Sequence, residues 1–422
     1  MSEVSGFSKL SKDEKISWIV KSKNIDDNLF KNFWLEDSCV QKKLDDLSEN
    51  TISNFLMPYG LAPNFKINEK IYSVPMVIEE SSVVAAASKA AKFWLSRGGF
   101  VSRVLGTVKL GHVHFSSKLS FDELKNTFET KKDELLDSVD KYCTNMKNRG
   151  GGILSLDLID KSNELADYYQ IEVKFKTCNA MGANFINTIL EKLGENFKSY
   201  CVDIEINMSI LSNYTPECLV EAKLVCKISE LGAICKDIDA YDFAKKFKRA
   251  IDISKIDISR AVTHNKGIMN GIDSVILATG NDFRAVEAAC HAYASKDGHY
   301  SGLSNCKLED DKFEFSLTLP MSIGTVGGLT SLHPLAKASL DILDAPSAEE
   351  LMQIIACVGL AQNFGAVSSL VTTGIQKGHM KMHLLNILNQ LEATPTQIEA
   401  AKDHFQTKVI SYNEVRNFLN IH

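Results

Sequence analysis

Ile171-Glu-Val-Lys-Phe-Lys176 alternates apolar and polar residues, and it leads within a few residues to Asn179-Ala-Met-Gly-Ala-Asn184 and the helical run Phe185–Leu193. Side chains on a strand point alternately to its two faces, so the first segment reads as a strand with one buried face. The glycine that follows marks a turn into a helix. Working outward, the same alternation recurs at His112-Val-His-Phe115, Ile153–Ile159, Val202–Met208 and Leu219–Val225, and helices start at Ser120-Phe-Asp-Glu123 and near Asn179. Strands and helices in this order predict a compact α+β unit of the ferredoxin-like kind, inserted in the chain from about Lys109.

The flanks read differently. Ser11-Lys-Asp-Glu14 has the pattern of a capping box ahead of Ile16, Ile19 and Val20, which predicts an outer helix. Met57-Pro-Tyr-Gly-Leu-Ala-Pro63 breaks the periodicity, Ile71–Ile78 predicts a strand, and alanine-rich Ser81–Phe93 predicts a helix able to pack closely on a neighbour. Beyond the insert, long helical stretches are separated by glycine-rich turns at Gly267–Gly271, Gly280 and Gly324–Gly328, with one strand at Lys312–Leu319. Thr394-Pro-Thr-Gln397 and Ser411-Tyr-Asn-Glu414 repeat the capping pattern, so three short helices from about Gly378 form a flap. A chain of 422 residues exceeds what one core serves, since single cores stop growing near ~250–300 residues. The division predicted is a large, mostly helical domain (1–108 with 214–373), the insert (109–213) and the flap (374–422).

Composition removes several function classes. The formal net charge is −6 with no basic block, which argues against a nucleic-acid surface. The ten cysteines include no C-x-x-C pair, so reduced, buried thiols are expected. The segment Met1-Ser-Glu-Val-Ser5 enters a polar helix, and no apolar run approaches the roughly 18 residues of a membrane span, so a cytoplasmic protein without a membrane partner is expected.

The chain has neither G-x-G-x-x-G after a strand nor G-x-x-x-x-G-K-[ST]. Asn179–Asn184 offers instead a glycine at a helix start, where free N–H groups and the helix dipole favour a phosphate; an ordinary N-capped helix has the same look. Gly324-Thr-Val-Gly-Gly-Leu-Thr330 is likewise a tight turn or a backbone nest for an anion. Four ionisable residues sit in small or apolar company: Glu80, Lys266, Asp282 and His379. Each alone reads as a loop charge or a cap, but together with the glycine turns they suggest a site. His379-x-x-x-His383 and His112-x-His114 have metal-ligand spacings, yet the helical pair lacks the glutamate of zinc hydrolases and no third ligand is visible, so no metal is expected.

These residues carry a resemblance. Glu49-Asn-Thr-Ile-Ser-Asn54 with Pro58-Tyr-Gly-Leu-Ala62, Glu80–Ser88, Ala180–Asn184, Ser259-Arg-Ala-Val-Thr-His-Asn-Lys-Gly267, Thr279–Asp282, Gly324–Thr330 and Gly378-His-Met380 together resemble the 3-hydroxy-3-methylglutaryl-CoA reductases, specifically the soluble bacterial and archaeal class. The resemblance implies two successive hydride transfers from a nicotinamide cofactor, converting the CoA thioester to mevalonate and free coenzyme A, or the reverse. It implies that Lys266 stabilises the thioester oxyanion, Glu80 donates a proton, Asp282 stands beside Lys266 to hold it charged, and His379 protonates the leaving thiolate from the flap. Ser82, Arg260 and Asn270 fall at the hydroxymethylglutaryl end, with Arg260 on the free carboxylate. The cofactor falls over Asn179, Ala180, Met181, Gly182, Ala183 and Asn184, with Ser155, Gly327 and Gly328. Active sites between two subunits are implied, hence a homodimer or a hexamer of dimers, with Glu49–Asn54 near the contact. Two departures stand out: an amide, Asn179, replaces the usual acid of the turn, where it can still cap the helix, and Ser155 lies where NAD-using relatives carry an acid near the adenosine ribose. With Lys147 and Arg149 close by, the second departure favours NADPH over NADH. A silent CoA-ester-binding paralogue acting as sensor or scaffold is the alternative, and the four filled positions argue against it.

Overall fold

The computed structural model describes residues 3–234, 238–372, 384–405, 408 and 410–420. Helix α1 (Lys12–Lys23) opens on the expected box, with Ser11 Oγ accepting from the Glu14 N–H and the Glu14 carboxylate accepting from the Ser11 N–H. Two short helices, α2 (Asn28–Lys31) and α3 (Ser38–Asp45), precede an antiparallel hairpin of β1 (Tyr59–Ile67) and β2 (Lys70–Val77). Strand β2 matches the predicted run, whereas β1 was hidden by Pro63 within it and Pro58 just before it. Its register shifts between Ala62 and Phe65, so Pro63 sits in a bulge where no ladder N–H is needed. The alanine-rich helix α4 (Val83–Leu95) and β3 (Val101–Val104) follow.

The insert runs β4 (Val108–Ser117), α5 (Phe121–Lys147), β5 (Gly152–Asp160), β6 (Tyr168–Lys176), α6 (Ala183–Tyr200) and β7 (Ile204–Leu211). Its sheet has the order β5-β6-β4-β7 with every pair antiparallel, which is the ferredoxin-like arrangement. Helices α5 and α6 cover one face, and Val113, Phe115, Phe128, Ile171, Val173, Phe175, Leu190 and Phe197 fill the layer between. Gly111 allows close packing here, because a Cβ would fall 2.5 Å from Leu190 Cδ1.

The fifth alternating run leaves the insert. As β8 (Leu219–Lys227) it joins the second sheet, of order β3-β8-β10-β9. Helices α7 (Ala240–Ile256), α8 (Ile258–Ala278) and α9 (Phe283–Ala294) precede β9 (Ser304–Glu309) and β10 (Lys312–Pro320), and α10 (Leu329–Leu332), α11 (Pro334–Ile342) and α12 (Ala348–Val371) complete this half. Trp94, Phe247, Phe313, Phe315 and Phe364 form an aromatic cluster between helices and sheet. Gly267–Gly271, predicted as a turn, lies inside α8. Helix packing overrides the weak helix propensity of glycine at Gly271, where a Cβ would stand 2.8 Å from the Val358 carbonyl oxygen of α12. Helix α12 is long and apolar enough by composition to cross a membrane, which the sequence reading passed over; 72% of its most apolar window is buried within the protein. In the tail, residues 384–390, Pro395–His404 and Tyr412–Phe418 are helical and share a small core of Leu384, Leu388, Ala401 and Val415.

Candidate active site

Helices α4, α8 and α12 converge on a cavity of about 350 Å³ lined by Glu80, Ser82, Lys89, Arg260, Lys266, Asn270 and Gln362 among others. Glu80 lies in the turn after β2, and α8 carries Arg260, Lys266 and Asn270. The Lys266 ammonium donates to Glu80 Oε2 at 2.5 Å, and Asn270 Nδ2 donates to the same oxygen at 3.3 Å. The side chain of Arg260 is half-buried, burial pulls its pKa down, and it has no hydrogen-bond or ion-pair partner among the described residues. A desolvated guanidinium without a counter-ion is poised for a carboxylate ligand. Ser82 stands at the N-cap of α4 with φ 76°, a backbone strain of the kind that gathers at sites, and its side chain makes no capping bond.

A second cavity, of about 430 Å³, lies where the insert meets the glycine loop. Its lining includes Ala180–Phe185, Gly280–Asp282, Gly324 and Val326–Thr330. Gly182 is the N-cap of α6 at φ 93°, without a side-chain cap, so the first N–H groups of an 18-residue helix remain available. Gly324 passes so close to the turn that a Cβ would fall 2.4 Å from Met181 N, while Gly327 and Gly328, at φ 82° and 59°, have open space around them. Free helix-start N–H groups, an open glycine pair and a close backbone pass suit an anionic cofactor.

The structure places the predicted residues in two groups. Glu80, Ser82, Arg260, Lys266 and Asn270 share the first cavity. Ala180–Asn184, Gly327 and Gly328 share the second. Asp282 belongs to the second group rather than beside Lys266: its carboxylate caps α9 through the Arg284 and Ala285 N–H groups, pairs with Arg284 at 3.2 Å, and makes no bond to Lys266. Asn179 does not cap α6 either. Its side-chain oxygen accepts from the Ala348 N–H at the start of α12, at 2.9 Å, and its carbonyl accepts from the Thr325 N–H. Ser155 lies on β5 beside a register shift, outside both linings, with its hydroxyl buried and unpartnered. His379 and His383 lie outside the described residues.

Several residues of these cavities escaped the sequence reading. Lys89 stands two turns along α4 from Ser82 and has no partner among the described residues; its spacing was a legible signal. His264 is fully buried and hydrogen-bonded to Ser304 Oγ at 2.7 Å, and burial together with the charges of Arg260 and Lys255 pushes its pKa down to about 3, so it is neutral beside the cavity. Thr177 and Asn281 brace the second cavity, Thr177 Oγ1 donating to the Ala180 carbonyl at 2.6 Å and Asn281 Oδ1 accepting from the Gly324 N–H at 2.8 Å. Among the described residues no three His, Cys, Asp or Glu side chains gather as metal ligands.

An α+β frame thus carries a lysine–carboxylate cavity and, apart from it, a cavity at a helix start suited to an anion. Residues 11–384 match the family model of hydroxymethylglutaryl-coenzyme A reductase. The chain is 35% identical over 403 residues to the 3-hydroxy-3-methylglutaryl-coenzyme A reductase of Archaeoglobus fulgidus, spanning 94% of this chain and 89% of that one. It is 36% identical over 365 residues to a probable reductase of the same name from Borreliella burgdorferi, spanning 85% and 81%. Among solved structures, the class II enzyme of Streptococcus pneumoniae bound to NADPH in open conformations is 37% identical with a TM-score of 0.75, covering 88% of this chain and all of that one. A second structure of a Streptococcus pneumoniae reductase gives a TM-score of 0.76 at 35% identity over 99% of both chains. The chain belongs to the hydroxymethylglutaryl-coenzyme A reductase family.

Proposed function

We propose that the first cavity holds the hydroxymethylglutaryl thioester and the second a dinucleotide, and that each working site joins the first cavity of one copy to the second cavity of another. The observation that carries the assignment is the Lys266–Glu80 pair in a cavity with the unpaired Arg260. Two reduced nicotinamides, bound in turn, would each supply one hydride to the same carbon: the first addition is followed by cleavage of the C–S bond and release of coenzyme A as its protonated thiol, and the second reduces the resulting aldehyde to the alcohol. Lys266, whose ammonium is exposed to the cavity, stabilises the oxyanion that develops on the carbonyl oxygen. Glu80, held by Lys266 and Asn270, is placed to pass a proton to that oxygen at the aldehyde stage. Arg260 and Ser82 fix the free carboxylate, and Lys89 offers a cation to the phosphates of the coenzyme A portion.

Homodimerisation rests on two features. Asp282, the acid expected at Lys266, lies in the other cavity of the same chain. A broad groove also carries Glu49–Asn54 together with Phe55, Leu56, Leu329 and Leu335, all four of these apolar side chains being exposed. A second copy covering this surface brings Asp282 to Lys266 and buries the apolar groove. Preference for NADPH over NADH is supported by the exposed Arg149, while Ser155, with its hydroxyl buried outside the second cavity, bears on it only in not being an acid. The NADPH-bound pneumococcal relative supports a nicotinamide cofactor.

The test is absorbance of the reduced nicotinamide with hydroxymethylglutaryl-CoA, run in parallel with NADH and NADPH. The proposal expects two cofactor molecules oxidised per thioester, with NADPH the faster. Binding of the CoA ester without turnover on either cofactor contradicts it.

A further inference from the structure

Strand β4 places Lys109 on the same face as Gly111, Val113 and Phe115, where the insert buries its apolar side chains. Lys109 is only 4% exposed. Its ammonium donates to the Ala180 carbonyl at 2.8 Å, the Met181 carbonyl at 2.9 Å and the Ile323 carbonyl at 3.4 Å. All three N–H bonds are thus spent on main chain: two on the turn that opens α6, one on the residue before Gly324. No carboxylate among the described residues pairs with it, and the titratable groups among them that act on it are the thiols of Cys218 and Cys178. A buried cation without a counter-ion is costly, and removing its partner leaves a larger penalty than an ordinary lost bond. The two peptide groups held by Lys109 are the wall of the second cavity, whose other features suit an anion.

We infer that Lys109 is a positioning residue for the cofactor: it fixes the Ala180–Met181 turn against the Gly324 loop, and its uncompensated charge behind that wall draws the pyrophosphate of the dinucleotide, which serves as its missing counter-ion. The inference rests on the reading of the second cavity as the dinucleotide site. Burial pulls the lysine down to about 8, as expected of an ammonium lacking an acidic partner, and a nearby anion reverses that pull. Thr177 Oγ1 also holds the Ala180 carbonyl, so the turn keeps one brace when Lys109 is replaced.

The test measures dissociation constants for NADPH and for hydroxymethylglutaryl-CoA separately on the full chain, by calorimetry, for the wild type, Lys109→Gln and Lys109→Arg. The expected result is an NADPH dissociation constant raised about tenfold by Lys109→Gln and largely recovered in Lys109→Arg, with a shallower salt dependence in the glutamine variant. Hydroxymethylglutaryl-CoA affinity stays within about twofold of wild type, because the first cavity does not contain the residue. NADPH binding unchanged in Lys109→Gln, or both ligands weakened alike, overturns the inference. Should the glutamine variant not fold, the wild type decides: NADPH affinity must fall as pH rises from 7 to 9 while hydroxymethylglutaryl-CoA affinity does not, and a flat NADPH profile overturns the inference. Failure of the wild type to bind NADPH or NADH at all sinks the dinucleotide reading itself, a distinct result.

Discussion

The two cavities work by opposite means. The first is built of side chains from three helices and the turn after β2, with Glu80, Lys266, Asn270 and Arg260 presenting charge and hydrogen bonds directly. The second is built of main chain: the N–H groups at the start of α6, the Gly324–Gly328 loop, and carbonyls tied down from behind by Lys109 and Thr177. A side-chain site is specified by residue identity and breaks chemically when one residue changes. A main-chain site is specified by where glycine is tolerated, and it breaks sterically. The contrast predicts that substitutions in the first cavity lower turnover with little change in cofactor binding, and that those in the second do the reverse.

Lys266→Ala carries the largest expected effect. Losing the oxyanion partner lowers kcat by at least ~10²–10³-fold, while NADPH affinity and the melting temperature stay near wild type. Near-normal kcat in this variant breaks the assignment of the first cavity. Next comes Gly324→Ala, whose Cβ falls 2.4 Å from Met181 N and forces the loop off the turn. It should weaken NADPH binding roughly tenfold and cost about 1–3 kcal/mol of stability by overpacking, both readable by titration and by denaturant unfolding. Unaltered NADPH affinity there removes the main-chain account of the second cavity.

The third prediction concerns pH. His264 is held neutral with its pKa at about 3, below the 6.5 of an exposed imidazole, so between those values the unfolded chain binds a proton that the folded chain does not. Stability therefore rises with pH across that window; the contribution is complete above about pH 6.5 and is lost progressively as pH falls toward 3, at no more than about 1.4 kcal/mol per pH unit. Melting temperatures from pH 7 to 4 should fall less steeply in His264→Gln, and parallel curves would show that the imidazole is not the group responsible. The smallest effect is that of Ser120→Ala, which removes the capping box of α5 far from both cavities. About 1 kcal/mol of stability is lost, with neither ligand's affinity altered.

The same contrast explains what could be read from the chain alone. The insert was legible because its strands alternate cleanly and Ser120 marks its first helix, so strand order followed from few alternatives. Strand β1 was not, because Pro63 in a bulge imitates a loop, and β9 is too short to show a period. Gly267 and Gly271 imitated a turn although both lie inside α8, where Gly271 is required by its close approach to Val358 and Gln362 of a distant helix. In the candidate site, side-chain chemistry announced Glu80 and Lys266 by type and company. Where Asp282 goes was not legible from its motif, since one chain puts it in a different cavity from Lys266. Lys109 was missed, because the alternating run read from the sequence starts at His112, and the lysine's place on the buried face shows only once β4 is seen to begin at Val108.

Complementation tests the central claim, that each site joins the side-chain cavity of one copy to the main-chain cavity of another, most directly. Lys266→Ala and Asp282→Ala, each inactive alone, are co-expressed in equal amounts and assayed together. A shared site predicts recovery of about one quarter of wild-type activity, because half of randomly paired dimers are mixed and each mixed dimer has one intact site. Activity no higher than either variant alone contradicts the account and places Asp282 and Lys266 in the same chain's site.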